Sequence, residues 1–216
     1  MKKYNLPKWV TPRSCEEWIK DTTLLLFVCL FSSLYFLFNT SHGAVLIPSI
    51  ALDYQIPRIP VFVILYIFYL PWLWGVVFYS WLSRQYFYQF AYSIIIIKII
   101  AFSIFFTFQT YMPRDPIISN DFFSCILQML YDHDQPYNCL PSLHAALSSS
   151  IAVYFIFRKS RWSQLSVILA ILIIASTLFI KQHFIADAVT GIILGSIVTW
   201  TVFYFYPKRK TLANLK

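Results

Sequence analysis

Residues 88–110 read YQFAYSIIIIKIIAFSIFFTFQT, and this run decides the class of fold. A helix that crosses the hydrocarbon core of a bilayer needs about 20 mostly apolar residues. Lys98 is the one charged residue in the run. Because the apolar residues are continuous rather than alternating, the run predicts a membrane-spanning helix and not a strand of a membrane β-barrel.

Five further apolar runs lie on both sides of this one, near residues 23–39, 59–82, 142–157, 162–180 and 184–206. The chain is 59% hydrophobic and 12% charged, a composition with too little polar surface for a water-soluble domain of 216 residues. We therefore expect an all-α, polytopic membrane protein, with residues 1–216 forming one domain of six transmembrane helices.

The net charge is +8, and the basic residues lie mainly in the predicted connections between the apolar runs. If the N-terminus is cytoplasmic, the external segments contain only three basic residues, Arg58, Arg114 and Lys181. A fourth, Lys98, lies within a span. This asymmetry places both termini in the cytoplasm and leaves no basic patch for a nucleic-acid partner. Of the 17 basic residues, 13 then lie in cytoplasmic segments: Lys2, Lys3, Lys8, Arg13, Lys20, Arg84, Arg158, Lys159, Arg161, Lys208, Arg209, Lys210 and Lys216.

The longest external connection runs from Tyr111 to Pro141. Apolar residues recur at helical spacing over 122–131, which predicts a short interfacial helix suited to act as a lid. Cys125 and Cys139 fall in this same connection, and a disulfide between them is an open hypothesis.

Polar side chains gather at the external ends of the last three runs. Ser142 and His144 follow Pro141 at the start of the fourth run. His183 and Asp187 stand four residues apart at the start of the sixth, a spacing that brings two side chains together on a helix. A carboxylate beside one ring nitrogen fixes the histidine tautomer and leaves the other nitrogen free as a nucleophile.

Two external cations complete a set of groups suited to phosphoryl transfer. Arg114 and Lys181 can bind phosphate oxygens, and the helix N-terminus at 141–144 adds backbone donors. The reaction needs a nucleophile, an acid for the leaving oxygen and positive groups around phosphorus. No metal or other cofactor is predicted, because the run Asp132, His133 and Asp134 is more simply a solvated loop.

These residues resemble the signatures of the type 2 phosphatidic acid phosphatase superfamily over about residues 105–195. That family's three signatures are K-x6-RP, PSGH and SR-x5-H-x3-D. Their order and the final spacing recur here in Met112-Pro113-Arg114-Asp115-Pro116, Pro141-Ser142-Leu143-His144 and Ser176-Thr177-x5-His183-x3-Asp187.

The resemblance implies a helical bundle and a metal-independent enzyme that acts on a lipid phosphate. His183 would form a phosphohistidine, Asp187 would orient it and His144 would protonate the leaving group. The phosphate would be bound by Arg114, Ser142 and Lys181.

Four positions depart from the family pattern. Thr107 stands where the first lysine would be, Asp115 separates Arg114 from Pro116, Leu143 replaces glycine and Thr177 replaces arginine. The variant signatures are similar to those of inositol phosphorylceramide and sphingomyelin synthases, which transfer a phosphoryl headgroup between lipids. Hydrolysis and transfer therefore both stay open.

A non-enzymatic transporter or scaffold, with histidines that bind a ligand or sense pH, is the rival from another class. Transporters usually place polar groups near the membrane midplane and often contain internal repeats. Here only Lys98 lies near a midplane, and no repeat is visible. We therefore expect a lipid phosphatase, or alternatively a lipid phosphotransferase, whose site faces the periplasm, the extracellular space or an organelle lumen.

Overall fold

The computed structural model describes residues 10–41 and 43–206. These residues contain two isolated β-bridges and no strand. Short 3-10 helices cover Ala51–Tyr54 and Pro60–Phe62. The α-helices of this part of the chain are α1 Cys15–Ser33, α2 Tyr35–Phe38, α3 Val63–Ser83, α4 Phe87–Thr107, α5 Phe122–His133, α6 Leu143–Phe157, α7 Ser163–Phe179 and α8 Ile185–Phe205.

A helix lies in each of the six predicted apolar runs, and the first differs most from its predicted bounds. Helix α1 begins at Cys15, well before residue 23, and ends at Ser33. Ser14 accepts a hydrogen bond from the Glu17 backbone, and the Glu17 carboxylate accepts one from the Ser14 backbone. This capping box stabilises two polar turns that hydrophobicity does not reveal.

Three helical segments in the described ranges are long and apolar enough to cross a membrane, namely Pro60–Ser83, Phe87–Thr107 and Ile185–Phe205. Helices α6 and α7 are apolar but shorter, with 15 and 17 residues. The fold is therefore that of a helical membrane protein. The count of six spans stays a prediction.

Three arginines gather at the end of the bundle where α3 ends. Arg13 donates to the Leu82 carbonyl at 2.9 Å, and Arg158 donates to Ser83 Oγ at 3.2 Å. Arg84 ends α3 itself. The predicted topology also used Lys2, Lys3, Lys8, Lys208, Arg209, Lys210 and Lys216, which lie outside the described residues together with both termini.

Helices α6 and α8 pack with their backbones in close contact, because two glycines of α8 face α6. A Cβ atom at Gly195 would lie 1.9 Å from the Ala146 carbonyl oxygen. One at Gly191 would lie 2.4 Å from the Ser142 carbonyl oxygen. This contact holds the beginnings of the two helices together, and both beginnings carry predicted site residues.

The predicted interfacial helix is α5, with Asp121 as its N-cap. Its Tyr131 hydroxyl donates to the Ile180 carbonyl at 2.5 Å, so α5 lies against the turn between α7 and α8. Cys125 is exposed on α5, Cys139 is buried, and both are free thiols. The hypothetical disulfide between them is therefore not formed in this structure.

Candidate active site

The turn between α7 and α8 brings His183 and Asp187 together. Asp187 lies in the first turn of α8 and accepts a hydrogen bond from the Phe184 backbone at 2.8 Å. His183 Nδ1 lies 3.5 Å from the same Oδ2 atom. Neither His183 Nδ1 nor Asp187 Oδ1 has a hydrogen-bond partner among the described residues. The carboxylate thus stabilises the helix start and also faces the imidazole.

His144 lies in the first turn of α6, between two tyrosines of α3. Its ring centroid is 4.3 Å from that of Tyr66 and 4.4 Å from that of Tyr69. The His144 and His183 centroids are 5.9 Å apart. Two aromatic contacts therefore fix the position of one imidazole, at a distance where a single phosphoryl group can contact both.

Ser142 connects the beginning of α6 to the beginning of α8. It is the N-cap of α6, its Oγ accepts from the Ala145 backbone at 3.3 Å, and its own N–H donates to the Asp187 carbonyl at 3.0 Å. The N-terminus of a helix of this length favours an anion. The predicted phosphate-binding segment is thus hydrogen-bonded to the residue that faces His183.

Arg114 reaches the site from the connection between α4 and α5. Its Nη1 donates to the Asp134 carbonyl at 2.6 Å, and its Nη2 donates to Gln182 Oε1. Its guanidinium carbon lies 4.5 Å from the ring centroid of Tyr131. Since Gln182 precedes His183, these contacts place the guanidinium beside the turn that carries the histidine.

Lys181 is directed toward the first external connection. Its ammonium donates to the carbonyls of Asp53 at 3.0 Å and Ile56 at 2.6 Å. Burial lowers the pKa of Lys181, and the opposing charges of Asp53 and Asp115 offset only part of this effect. The structure therefore gives this ammonium two carbonyl partners in the first external connection, whereas the Arg114 guanidinium donates to the Gln182 side chain.

The Thr177 hydroxyl, at the position of the third signature's arginine, also has a protein partner. It is fully buried and donates to the Ile174 carbonyl at 2.7 Å. The Thr177 carbonyl accepts from the backbone of Gln182 and of His183. This residue shapes the turn that precedes the histidine and does not replace the missing charge.

Asp53 is a site residue that the sequence did not identify. Its Oδ1 accepts from the Ile185 backbone at 2.8 Å, and its Oδ2 accepts from the Ile50 backbone at 2.7 Å. A second carboxylate therefore lies at the N-terminus of α8, supplied by the first external connection. No spacing in the sequence connects Asp53 to a helix that begins more than a hundred residues later.

Asp134 belongs to a hydrogen-bonded cluster and not to the solvated loop that the sequence predicted. Its carboxylate accepts from Asn39 Nδ2 at 2.9 Å, from the Tyr66 hydroxyl at 2.9 Å and from the Tyr35 hydroxyl at 3.3 Å. The neighbouring Asp132 and His133 are exposed and bond within α5 instead. The three residues therefore do not form a ligand set.

Cys139 is buried beside His183 and Asp187. One ligand atom from each of Cys139, His183 and Asp187 lies within 4.8 Å of the others. Burial raises the pKa of the Cys139 thiol, and the charge of Asp187 adds to the effect. The sequence suggested a disulfide with Cys125 for this cysteine and did not predict its place beside His183.

Lys98 is almost fully buried in α4, with its ammonium 5.8 Å from the ring centroid of Phe102. It interacts electrostatically with His144. No acidic side chain in the part of the chain that the structure describes forms an ion pair with it. The predicted third span therefore contains a buried lysine without an acidic partner among the described residues.

Comparison with known families gives one match. The family model described as the PAP2 superfamily matches residues 90–211, which include all six predicted site residues. No curated protein and no solved structure matches the chain significantly.

Proposed function

Because this chain belongs to the PAP2 superfamily, whose members are phosphatases or phosphotransferases, we propose that it is a membrane lipid phosphatase. The proposed substrate is a phosphomonoester or pyrophosphate lipid. The observation that carries the proposal is the placement of His183, 3.5 Å from Asp187 and with its ring 5.9 Å from that of His144. A nucleophile, its orienting carboxylate and an acid are the groups that a double displacement requires.

In the first step, His183 Nε2 attacks phosphorus while Asp187 holds the proton on Nδ1. The bond from phosphorus to the leaving oxygen breaks, and His144 donates its proton to that oxygen. In the second step, water attacks the phosphohistidine and gives a proton to His144. Inorganic phosphate leaves, and both histidines return to their starting states.

Arg114 and Ser142 support the proposed phosphate site. The guanidinium is held by the Asp134 carbonyl and Gln182, and a planar guanidinium suits phosphate oxygens. Ser142 contributes through the N-terminus of α6, whose first turn it caps. Direct phosphate binding by Lys181 would require its ammonium to leave two carbonyls, so we propose that Lys181 supports the site through the loop it holds.

The leaving-group dependence of the two histidine variants tests this division of roles. p-Nitrophenyl phosphate has a good leaving group that needs little protonation, whereas a lipid alcohol is a poor one. His144→Ala should lower the rate by about 100-fold or more with the lipid and far less with the nitrophenyl ester. His183→Ala should abolish both reactions. His133→Ala, an exposed histidine, is the matched control.

The phosphoenzyme gives a second measurement. Rapid quenching with labelled substrate should yield an alkali-stable, acid-labile phosphate on His183, identified by mass spectrometry of the peptide. Asp187→Asn should reduce its yield, because the tautomer of His183 is no longer fixed. Full activity in His183→Ala, or label on another residue, would overturn the mechanism.

Headgroup transfer to a second lipid is the alternative that the signature variants favour. Leu143 and Thr177 stand where the phosphatase signatures have glycine and arginine. Transfer uses the same phosphohistidine but ends on a lipid hydroxyl instead of water. Vesicles that contain a phosphorylated lipid and a hydroxyl lipid separate the two reactions, because hydrolysis releases inorganic phosphate and transfer forms a new lipid.

We further propose that the site faces the extracytoplasmic side. The support is that Arg13, Arg84 and Arg158 gather at the opposite end of α3 from Tyr66, which contacts His144. Basic residues concentrate on the cytoplasmic side of membrane proteins. In intact cells, a membrane-impermeant thiol reagent should label exposed Cys125 but not exposed Cys15. The reverse pattern would invert the topology.

A further inference from the structure

Three side chains of metal-ligand type converge at the start of α8, and one of them is the proposed nucleophile His183. One ligand atom from each of Cys139, His183 and Asp187 lies within 4.8 Å of the other two. Asp187 is fully buried, and Cys139 is 3% exposed. Hereafter we refer to these three residues as the Cys139 cluster.

Two of the three residues in this cluster offer ligand atoms that form no hydrogen bond with the described residues. Asp187 Oδ1 and His183 Nδ1 are buried atoms without hydrogen-bond partners among the described residues. The Cys139 thiol makes a long contact, 3.6 Å, with the Pro136 carbonyl and also interacts with the Met112 backbone. A buried acceptor without a hydrogen-bond partner lowers the stability of the folded protein. A cation bound to that acceptor would remove this cost.

The donor types select the class of cation. Sulfur, imidazole nitrogen and carboxylate oxygen together suit Zn²⁺ and related thiophilic ions, whereas Mg²⁺ and Ca²⁺ prefer oxygen ligands. Around one Zn²⁺ ion, ligand atoms lie at about 2.0–2.3 Å from the metal and therefore about 4 Å or less from each other. The ligand atoms of the Cys139 cluster, all within 4.8 Å of one another, would have to approach by about 1 Å at most to reach that spacing.

We propose that the Cys139 cluster binds a thiophilic divalent cation such as Zn²⁺, and that the bound cation blocks the enzyme. The thiol proton leaves to solvent as the metal–sulfur bond forms. Nδ1 of His183 donates its lone pair to the metal, so the ring proton resides on Nε2. The nitrogen that would attack phosphorus is then no longer a nucleophile, and Asp187 is no longer free to orient it.

The blocking effect rests on the proposed function, but binding of the cation does not. A protein with Cys15, Cys29 and Cys125 replaced by serine keeps Cys139 as its only thiol. Addition of Co²⁺ should produce a saturable thiolate-to-metal charge-transfer absorption that Zn²⁺ removes. Cys139→Ser on this background should lack the absorption, and His183→Ala should weaken Co²⁺ binding by at least about tenfold. Absence of the absorption in the parent overturns the site.

The second measurement is phosphate release during a Zn²⁺ titration, with a chelator added at the end. Wild type and the matched control Cys125→Ser should be inhibited alike and should recover after chelation. Cys139→Ser should need at least about tenfold more Zn²⁺ for the same inhibition. If that variant folds poorly, Cys139→Ala serves instead, with thermal unfolding as the check on folding.

The outcomes of the two measurements are distinct. Charge-transfer absorption with no inhibition, or with activation, overturns the blocking role. Inhibition that is equal in wild type and in Cys139→Ser also overturns it. Absorption in a protein that never releases phosphate supports the cation site and contradicts the proposed phosphatase function.

Discussion

The ring of Tyr66 stacks on the ring of His144, with centroids 4.3 Å apart and an interplanar angle of 27°. The hydroxyl of the same tyrosine donates to Asp134 Oδ2 at 2.9 Å, and the Asp134 carbonyl accepts from Arg114 at 2.6 Å. A single residue of α3 therefore connects the proposed acid with the proposed phosphate-binding arginine.

Substitution of Tyr66 separates these two contacts. Tyr66→Phe keeps the stacked ring and removes one donor from Asp134, so KM should rise several-fold with little change in kcat. Tyr66→Leu also removes the stack, and the displaced His144 should lower kcat by about 10- to 100-fold. Steady-state phosphate release measures both constants. Tyr204→Phe, at an exposed tyrosine of α8, is the control, and wild-type kcat in Tyr66→Leu would contradict a positioning role.

Gly195→Ala should destabilise the bundle, because the new methyl group would meet the Ala146 backbone at 1.9 Å. Overpacking typically costs about 1–3 kcal/mol, and a rigid helix backbone cannot easily move away. Thermal unfolding in detergent measures the effect. Gly75→Ala is the matched control, since a Cβ atom there meets nothing within 4 Å. Equal unfolding temperatures for the two variants would refute the close contact between α6 and α8.

Asp21→Asn should lower the free energy of unfolding by about 3 kcal/mol. Asp21 Oδ2 lies 3.1 Å from Arg13 Nη1 and 3.1 Å from Arg84 Nε, and the side chains of Asp21 and Arg13 are fully buried. The change leaves two guanidinium groups without their shared carboxylate. Glu16→Gln, in an exposed pair with Lys20, should have almost no effect in the same denaturation experiment.

Asp121 should titrate well below an ordinary aspartate. Hydrogen bonds from the Ser124 and Ser119 side chains and from the first backbone groups of α5 lower the pKa of Asp121 to about 2. The folded state favours the charged carboxylate. Its contribution to the free energy of unfolding is therefore fully present above the ordinary aspartate pKa near 3.9, and it is lost as pH falls through about 2. Carbon-13 NMR of the carboxyl group measures the midpoint. Ser124→Ala should raise it, and a wild-type midpoint near 4 would contradict the capping geometry.

The features that the sequence predicted correctly depend on neighbouring residues along the chain. Continuous apolar runs indicate helices because a helix satisfies all the backbone hydrogen bonds of a segment within the bilayer. The spacing between His183 and Asp187 is equally local. The superfamily that the signatures indicated is confirmed by the PAP2 match over residues 90–211, while the roles of the site residues remain predictions.

The features that the sequence did not predict depend on contacts between distant segments. The Lys181 ammonium donates to the carbonyls of Asp53 and Ile56, and no pattern near Lys181 in the sequence indicates these partners. Tyr66 lies in an apolar run, where a tyrosine is equally suited to contact lipid. The sequence places Asp134 in a loop, but its carboxylate accepts hydrogen bonds from Tyr35 and Asn39 at the two ends of α2 and from Tyr66 of α3, residues far from it in sequence.

The family match begins at residue 90, whereas Asp53, Tyr66 and Tyr69 reach the site from earlier in the chain. The proposed reacting groups and some of the residues that contact them therefore lie in different halves of the polypeptide. Exchange of residues 43–70 between related chains would consequently change the surroundings of the two histidines while residues 90–211 stay the same. Variation in the first half of such a chain would reach the two histidines through contacts such as the stacked ring of Tyr66, without a substitution in either histidine.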